Sequence, residues 1–415
     1  MRNLREAHAH VANLGRQMAY ADLSACTSSA QALERMAEHA SGLGPLDWAI
    51  GVGARPEGWR ESAWPGLAEL DAAIGGRPAA VWCFDNHTLM ASTAALAAAG
   101  IGDDSPAPEG GAFGRDGGAL DGVMYEAAAL QLWAAVPEPT DAQHRAHLRA
   151  GLAHLRGLGF VEVHDMLSHD WTVEHLLALD ADGELDEIGI RVELYCPVAE
   201  LDDIAARFGT GALSNNITIA GGKIFADGTL NSRTAYMLGP YADGDPSRPR
   251  GMPLLTDAQI RNAVAKCDAL GIGLATHAIG DGAVRDVLDA IEEVGPNGPG
   301  VFRIEHAEVV DEDDIPRFAA LGVPASVQPC HLLPDIEVLR RALPDRLGRV
   351  LPLRELIDSG AEVWFGSDVP IVRADAEDSV RAATERRREG MAPSLAIASE
   401  QAITEAEAWR AFAPS

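Results

Sequence analysis

The stretch TDAQIRNAVAKCDALGIGLATHAIGDGAVRDVLDAIEEVG (residues 256–295), followed by FRIEHAEVV (302–310), decides the fold. Thr256 and Gln259 have the spacing of a capping box, in which each side chain satisfies the other's free backbone N–H, so a helix opens here. Ile260, Val264 and Cys267 share one face of it, and Gly271 ends it. GIGLATHAIG then reads as a strand. Val284, Val287, Leu288 and Ile291, at i, i+3, i+4 and i+7, mark a second helix that stops at Gly295, and FRIEHAEVV is the next strand. Alternating strands and helices of this kind build a parallel sheet.

Outward from this unit the same rhythm recurs. Strand-like runs occur at REAHAHV (5–11), FVEVHDM (160–166), RVELYCPV (191–198), AGGKIFADG (220–228), GLATHAIG (273–280), FRIEHAEVV (302–310), PASVQPCH (324–331) and EVWFGSD (362–368). Eight parallel strands with crossover helices predict an α/β fold, the (β/α)8 TIM barrel, whose functional residues gather at the C-terminal strand ends. Residues 45–150 break the rhythm, being too long for one connection and holding a Gly/Pro/Asp-rich segment, GDDSPAPEGGAFGRDGG. The predicted organisation is a first βα unit (1–44), an insertion over the barrel mouth (45–150), and the other seven units (151–415). The insertion is either a lid or a packing subdomain without chemistry.

The formal charge of −29 argues against nucleic acid or an anionic membrane as partner, since both require a basic surface. With 47% hydrophobic and 23% charged residues, the chain has the composition of a core-forming globular protein. Cys26, Cys83, Cys196, Cys267 and Cys330 form no CxxC pair, so neither a disulfide framework nor a thiolate zinc site is expected. The N-terminus lacks an apolar signal core and no apolar run has membrane-spanning length, which predicts a cytoplasmic protein acting on a small molecule.

Chemistry-bearing residues fall at the predicted strand ends: His8, His10, Lys223, His277, His306 and Asp368. His8 and His10 are i, i+2, so on a strand both imidazoles point the same way. Histidine pairs also arise by chance in a chain with 13 histidines, and His277 or His306 alone reads equally as a hydrogen-bonded core residue. Lysine is more telling. Lys223 and Lys266 are the only two, and Lys223 sits in an apolar strand where a free ammonium is costly. Either it carries an Nε-carbamate, formed with CO2 and able to bridge two cations, or it pairs with Asp227 or Asp368. Neutral imidazoles suit zinc or another borderline divalent metal, and Asp368 could ligate a metal and accept a proton from activated water.

EAHAHV, DNHTLMAS, GGKIFADGTLNSRTAYMLGPY, THAIGDGAV, RIEHAEVV, SVQPCH and FGSDVP, in this order, resemble the amidohydrolase superfamily, in particular its amidohydrolase-3 or YtcJ-like branch, which includes N-substituted formamide deformylase. The resemblance implies a TIM barrel holding one or two divalent metal ions, zinc foremost, on His8, His10, Lys223, His277, His306 and Asp368. It implies hydrolysis of a C–N bond (amide, formamide or cyclic amide) by metal-activated water, with Asp368 carrying the proton to the leaving amine. It also places His87, Arg233 and His331 against substrate, with His164 and Asp165 as weaker candidates. Deaminase or ester hydrolase chemistry at the same centre, and a barrel without catalysis, are the alternatives.

Two features depart from the family pattern. The small β-sandwich that usually flanks the barrel is expected to be missing, which would expose apolar barrel surface and favour a homo-oligomer. Glu6 stands where the family usually carries Asp.

Overall fold

The computed structural model describes residues 3–44, 47–85 and 87–414. They form two compact units, one of Met1–Leu14 with Leu148–Ser415, the other of Gly15–His147.

In the first unit eight parallel strands follow one another: β1 (Leu4–Ala9), β2 (Phe160–Met166), β3 (Arg191–Pro197), β4 (Ile217–Phe225), β5 (Gly273–Ala278), β6 (Phe302–His306), β7 (Ala325–Val327) and β8 (Val363–Phe365). A two-residue strand, Gly211–Ala212, adds antiparallel to β4. Each crossover carries helix, and the apolar faces read from the sequence are the buried ones: Ile260, Val264 and Cys267 on Asp257–Ala269, and Val284, Val287, Leu288 and Ile291 on Asp281–Val294. The capping box closes as expected, with Thr256 N donating to Gln259 Oε1 at 2.9 Å. The resulting core runs continuously between strands and helices.

The barrel is nearly closed. Ladders join β1 through β8 in sequence order, but β8 meets β1 only through the parallel bridge Ala9–Val369 and its backbone hydrogen bonds. Asp368 N donates to His8 O at 2.7 Å and His10 N to Val369 O at 2.9 Å. Several strands are shorter than the runs that announced them. β1 ends at Ala9, leaving His10 just beyond it, and Pro329–His331 turns into a 3-10 helix after β7, because Pro329 cannot donate to a ladder.

The second unit holds a six-stranded sheet in the order Ala21–Asp22, Ala49–Ala54, Ala79–Cys83, Thr88–Ala91, Ala119–Glu126, Gly111–Asp116. Its first three strands are parallel and the rest antiparallel. Both faces are covered. Ala79 and Val81 pack with Met36 and Leu70, while Ala80 and Trp82, one residue out of phase, pack with Leu96 and Leu132. The helix Ser29–Ser41, which the sequence groups with the first βα unit, belongs to this sheet because Ala32, Met36 and Ala40 bury against it. Among the described residues no helix is long and apolar enough to cross a membrane, and all five cysteines are free.

Candidate metal centre

At the C-terminal end of the barrel the structure brings His8, His10, Lys223, His277, His306 and Asp368 together. Ring centroids lie 5.6 Å apart for His8 and His10, 4.9 Å for His8 and His306, and 4.5 Å for His277 and His306. Asp368 Oδ1 is 3.4 Å from His8 Nε2 and 3.1 Å from His10 Nε2. Candidate ligand atoms of His8, His10 and Asp368 all fall within 4.8 Å of one another.

The imidazoles are oriented by acceptors. His8 Nδ1 lies 2.6 Å from Glu305 Oε2, His10 Nδ1 3.0 Å from Met166 O, and His277 Nε2 3.0 Å from Gly228 O. A carbonyl or carboxylate can only accept, so each of these nitrogens carries the proton, and the opposite nitrogen offers its lone pair. Burial keeps the His8, His277 and His306 rings neutral. It lowers His8 and His306 well below the ordinary imidazole value and, with the Lys223 charge, takes His277 down to about 4. Neutral, oriented imidazole is the form that binds a divalent cation.

Two atoms of this cluster are among the buried side-chain atoms that have no hydrogen-bond partner: Lys223 Nζ and Asp368 Oδ1. The pairing of Lys223 with Asp227 or Asp368 is therefore not formed. Asp227 instead accepts from the backbone N–H groups of Tyr236, Ile279 and Gly280, and Lys223 Nζ lies 5.1 Å over the Phe225 ring. Burial lowers Lys223 to about 8 against the opposing pull of Glu305 and Asp368. Burial raises Asp368, yet the neighbouring His8, His10 and His331 hold it below the usual carboxylate range. Orphaned ligand atoms beside three lone pairs fit a site built for a cation.

The backbone is strained at the same place. His306 (φ 72°), Ala307 (φ 39°) and Asp368 (φ 61°) all adopt left-handed conformations, costing of order 1–3 kcal/mol each, at the ends of β6 and β8.

The other sequence candidates are placed as follows. His331 lies beside the cluster, its ring 6.4 Å from His306 and its Nε2 3.0 Å from Ser367 O. Arg233 is committed to Asp243 through two contacts of 2.7 and 2.6 Å and to Leu230 O. His87 belongs to the second unit, where it is exposed and pairs with Glu126 at 2.8 Å. His164 joins an ion network inside the barrel, with Nδ1 2.6 Å from Arg303 Nη1 and Nε2 3.2 Å from Glu193. Asp165 accepts from Val11 N and Ser168 Oγ, both at 2.7 Å, fixing the turn that follows His10.

Two residues that brace the cluster, Arg303 and Glu305, were not singled out by sequence, and a third, Glu6, stood out there only as a departure from the family pattern. Glu305 holds His8; Arg303, fully buried, holds Glu305 at 2.5 Å and reaches Ala7 O and Ser326 Oγ. Their signal was the alternation R-x-E-H on one strand, which turns both charges into the barrel. Glu6, also fully buried, accepts from Ser367 N (2.7 Å), Ser367 Oγ (3.0 Å) and His8 N (3.2 Å), joining β1 to the end of β8. Gly366 permits this approach, since a Cβ there would meet His8 N at 2.5 Å and Glu6 Oε1 at 2.8 Å.

A model of the amidohydrolase family matches residues 4–412. YtcJ of Bacillus subtilis (strain 168) is 30% identical over 392 residues, covering 92% of this chain and 72% of that protein. The N-substituted formamide deformylase of Arthrobacter pascens is 25% identical over 395 residues, with the same two coverages, 92% and 72%. The crystal structure of an uncharacterized metal-dependent hydrolase from Pyrococcus horikoshii OT3 superposes with a TM-score of 0.81 at 28% identity, covering 99% of this chain and 80% of that one. The histidines, lysine and aspartate at successive strand ends, the barrel that carries them and the match along nearly the whole chain lead to one conclusion: this protein belongs to the amidohydrolase family.

Proposed function

We propose that this protein is a metal-dependent hydrolase that cleaves a C–N bond in an amide, formamide or cyclic amide of a small molecule, using one or two divalent ions, zinc foremost. The observation that carries this reading is the meeting of three oriented imidazole lone pairs with the unpartnered Lys223 Nζ and Asp368 Oδ1. Support also comes from the likeness to a metal-dependent hydrolase and to a formamide deformylase. His8, His10 and Asp368 would hold one ion; His277 and His306 a second, with Lys223 between them as a carbamate. Carbamate formation would join the deprotonated Lys223 amine to CO2 and release one proton, so that starting from the ammonium two protons leave in all and a costly buried cation becomes an anionic ligand. A bound ion supplies Lewis acidity and lowers the pKa of water toward about 7.

The chain's own groups then manage the proton. Asp368, a carboxylate kept ionised, takes it from the attacking water and delivers it to the departing nitrogen. His331, Arg233 and His87 are assigned to substrate contact. The test is amine release from a panel of N-formyl and N-acyl amines, with metal content measured in parallel. Turnover is expected to vanish on complete chelation and return with zinc; turnover that survives chelation overturns the reading. His87→Ala is expected to raise KM more than it lowers kcat, a pattern that initial-rate kinetics resolve.

A further inference from the structure

His164 lies on β2 with 1% of its surface exposed, enclosed by Tyr195 of β3 and Trp364 of β8, whose ring centroids are each 5.9 Å from its own. Its two nitrogens face opposite kinds of partner. Nδ1 is 2.6 Å from Arg303 Nη1, whereas Nε2 is 3.2 Å from Glu193 Oε2 and 3.4 Å from Glu162 Oε1. A guanidinium only donates and a carboxylate only accepts, so Nδ1 offers its lone pair and the ring proton sits on Nε2. This assignment closes the cluster of Glu162, His164 and Glu193 to a divalent metal, although their candidate ligand atoms lie within 4.8 Å of one another. A metal on Nε2 would send the proton to Nδ1, against Arg303.

The other Arg303 donors are committed. Nε reaches Glu305, Nη2 reaches Ala7 O and Ser326 Oγ, and Tyr195 Oη lies 3.4 Å from Nη1. The remaining cations of the network are engaged as well: Arg191 bonds Glu162 at 2.8 Å, and Arg5, which reaches Ala411 O at 3.4 Å, shares the Trp364 ring with Arg303, at 4.4 and 4.9 Å from its centroid. The imidazole thus stands between the Arg303 guanidinium and two carboxylates. Without a lone pair at that point Nη1 keeps only the distant Tyr195 Oη, and Glu162 and Glu193 draw the cation away from Glu305 and Ala7.

We propose that His164 is a positioning residue for the metal centre: its Nδ1 lone pair fixes the Arg303 guanidinium, Arg303 fixes Glu305, and Glu305 orients the His8 imidazole, 2.6 Å away. This inference rests on the metal-dependent reading above and adds to it a control of ion retention from inside the barrel, by a residue that touches neither ion nor substrate.

The test compares His164→Asn, whose Oδ1 can replace Nδ1 as acceptor, with His164→Leu, which offers none. Two readouts are taken on the full chain. The first is magnetic resonance of metal-free protein with nitrogen-labelled histidine, each signal assigned by its loss on substitution. His164 should show an unprotonated Nδ1 and a protonated Nε2, and the His8 Nδ1–H held by Glu305 should survive in His164→Asn and vanish in His164→Leu. The second is chelator competition of zinc-loaded protein, where His164→Leu is expected to lose on the order of 10–100-fold in zinc affinity and His164→Asn no more than about threefold. A protonated Nδ1 on His164, equal His8 signals in the two variants, or equal zinc affinities overturns the proposal. The first of these outcomes is read on the parent, so it decides even where a variant does not fold. A parent that binds no zinc, but whose His8 proton depends on His164, faults the metal reading alone. A parent that retains zinc while His8 is indifferent to His164 faults the positioning role alone.

Discussion

Lys223, His277 and His306 stand on strands joined by continuous parallel ladders, five paired positions between β4 and β5 and five between β5 and β6. His8, His10 and Asp368 flank the β8/β1 junction, where one bridge, two backbone hydrogen bonds and the Glu6 carboxylate replace a ladder. On the laddered side the positions of the proposed ligands follow from strand pairing, which the whole core enforces. On the junction side they depend on individual side chains, so single substitutions there should disturb the centre most. The two sides are linked by Arg303 and Glu305, which rise from β6 and grip Ala7 O and His8 of β1.

Breaking that link should have the largest effect. Arg303→Met leaves Glu305 buried without its cation, and a loss of about 3–5 kcal/mol of stability is expected in denaturant unfolding. A smaller loss than that of an ordinary core substitution would mean the two sides are independent. Asp368→Asn on the junction should keep the fold, seen as an unchanged circular dichroism spectrum, while lowering kcat on the order of 10²-fold or more. A variant as fast as the parent would remove Asp368 from the chemistry. Glu6→Gln loosens the junction without touching a ligand. It is expected to weaken metal retention about 10–100-fold in a chelator competition, whereas Ile304→Val, on the laddered side, should leave retention unchanged.

The smallest effect lies on the laddered side, at Asp286 of the helix between β5 and β6. Burial, followed by Asp257 and Asp289, raises this carboxyl to about 6, so the folded state holds its proton more tightly than the unfolded one. Stability therefore falls as pH rises from about 4 through 6, and the penalty persists above. Asp286→Asn should raise Tm at pH 7 and leave it unchanged near pH 4. Because the group is half exposed, the gain should be only a few tenths of a kcal/mol.

The contrast also accounts for what could be read from sequence. Strands and helices of the barrel were legible because period-2 and period-3.6 patterns report burial directly, and Lys223 was legible because a lone lysine in an apolar strand has few explanations. His10 illustrates the limit: its pairing with His8 was anticipated from strand alternation, yet β1 stops one residue earlier and the ring is set by Met166 O, a contact 156 residues away. Arg303 and Glu305 were overlooked because charged residues at alternate strand positions ordinarily mark a solvent face, while in a barrel the same alternation fills the interior. The junction was invisible altogether, since a missing ladder leaves no trace in composition.

Lysine scarcity, finally, makes the protein its own spectroscopic reporter. Of its two lysine amines, Lys266 is partly exposed and bound to Asp202 and Val198 O, while Lys223 is dry and unpartnered. Isotope-labelled carbon dioxide thus has a single buried lysine to mark, and one carbamate resonance that sharpens with metal and fades with chelator would track the occupancy of the centre in solution, with no substrate required.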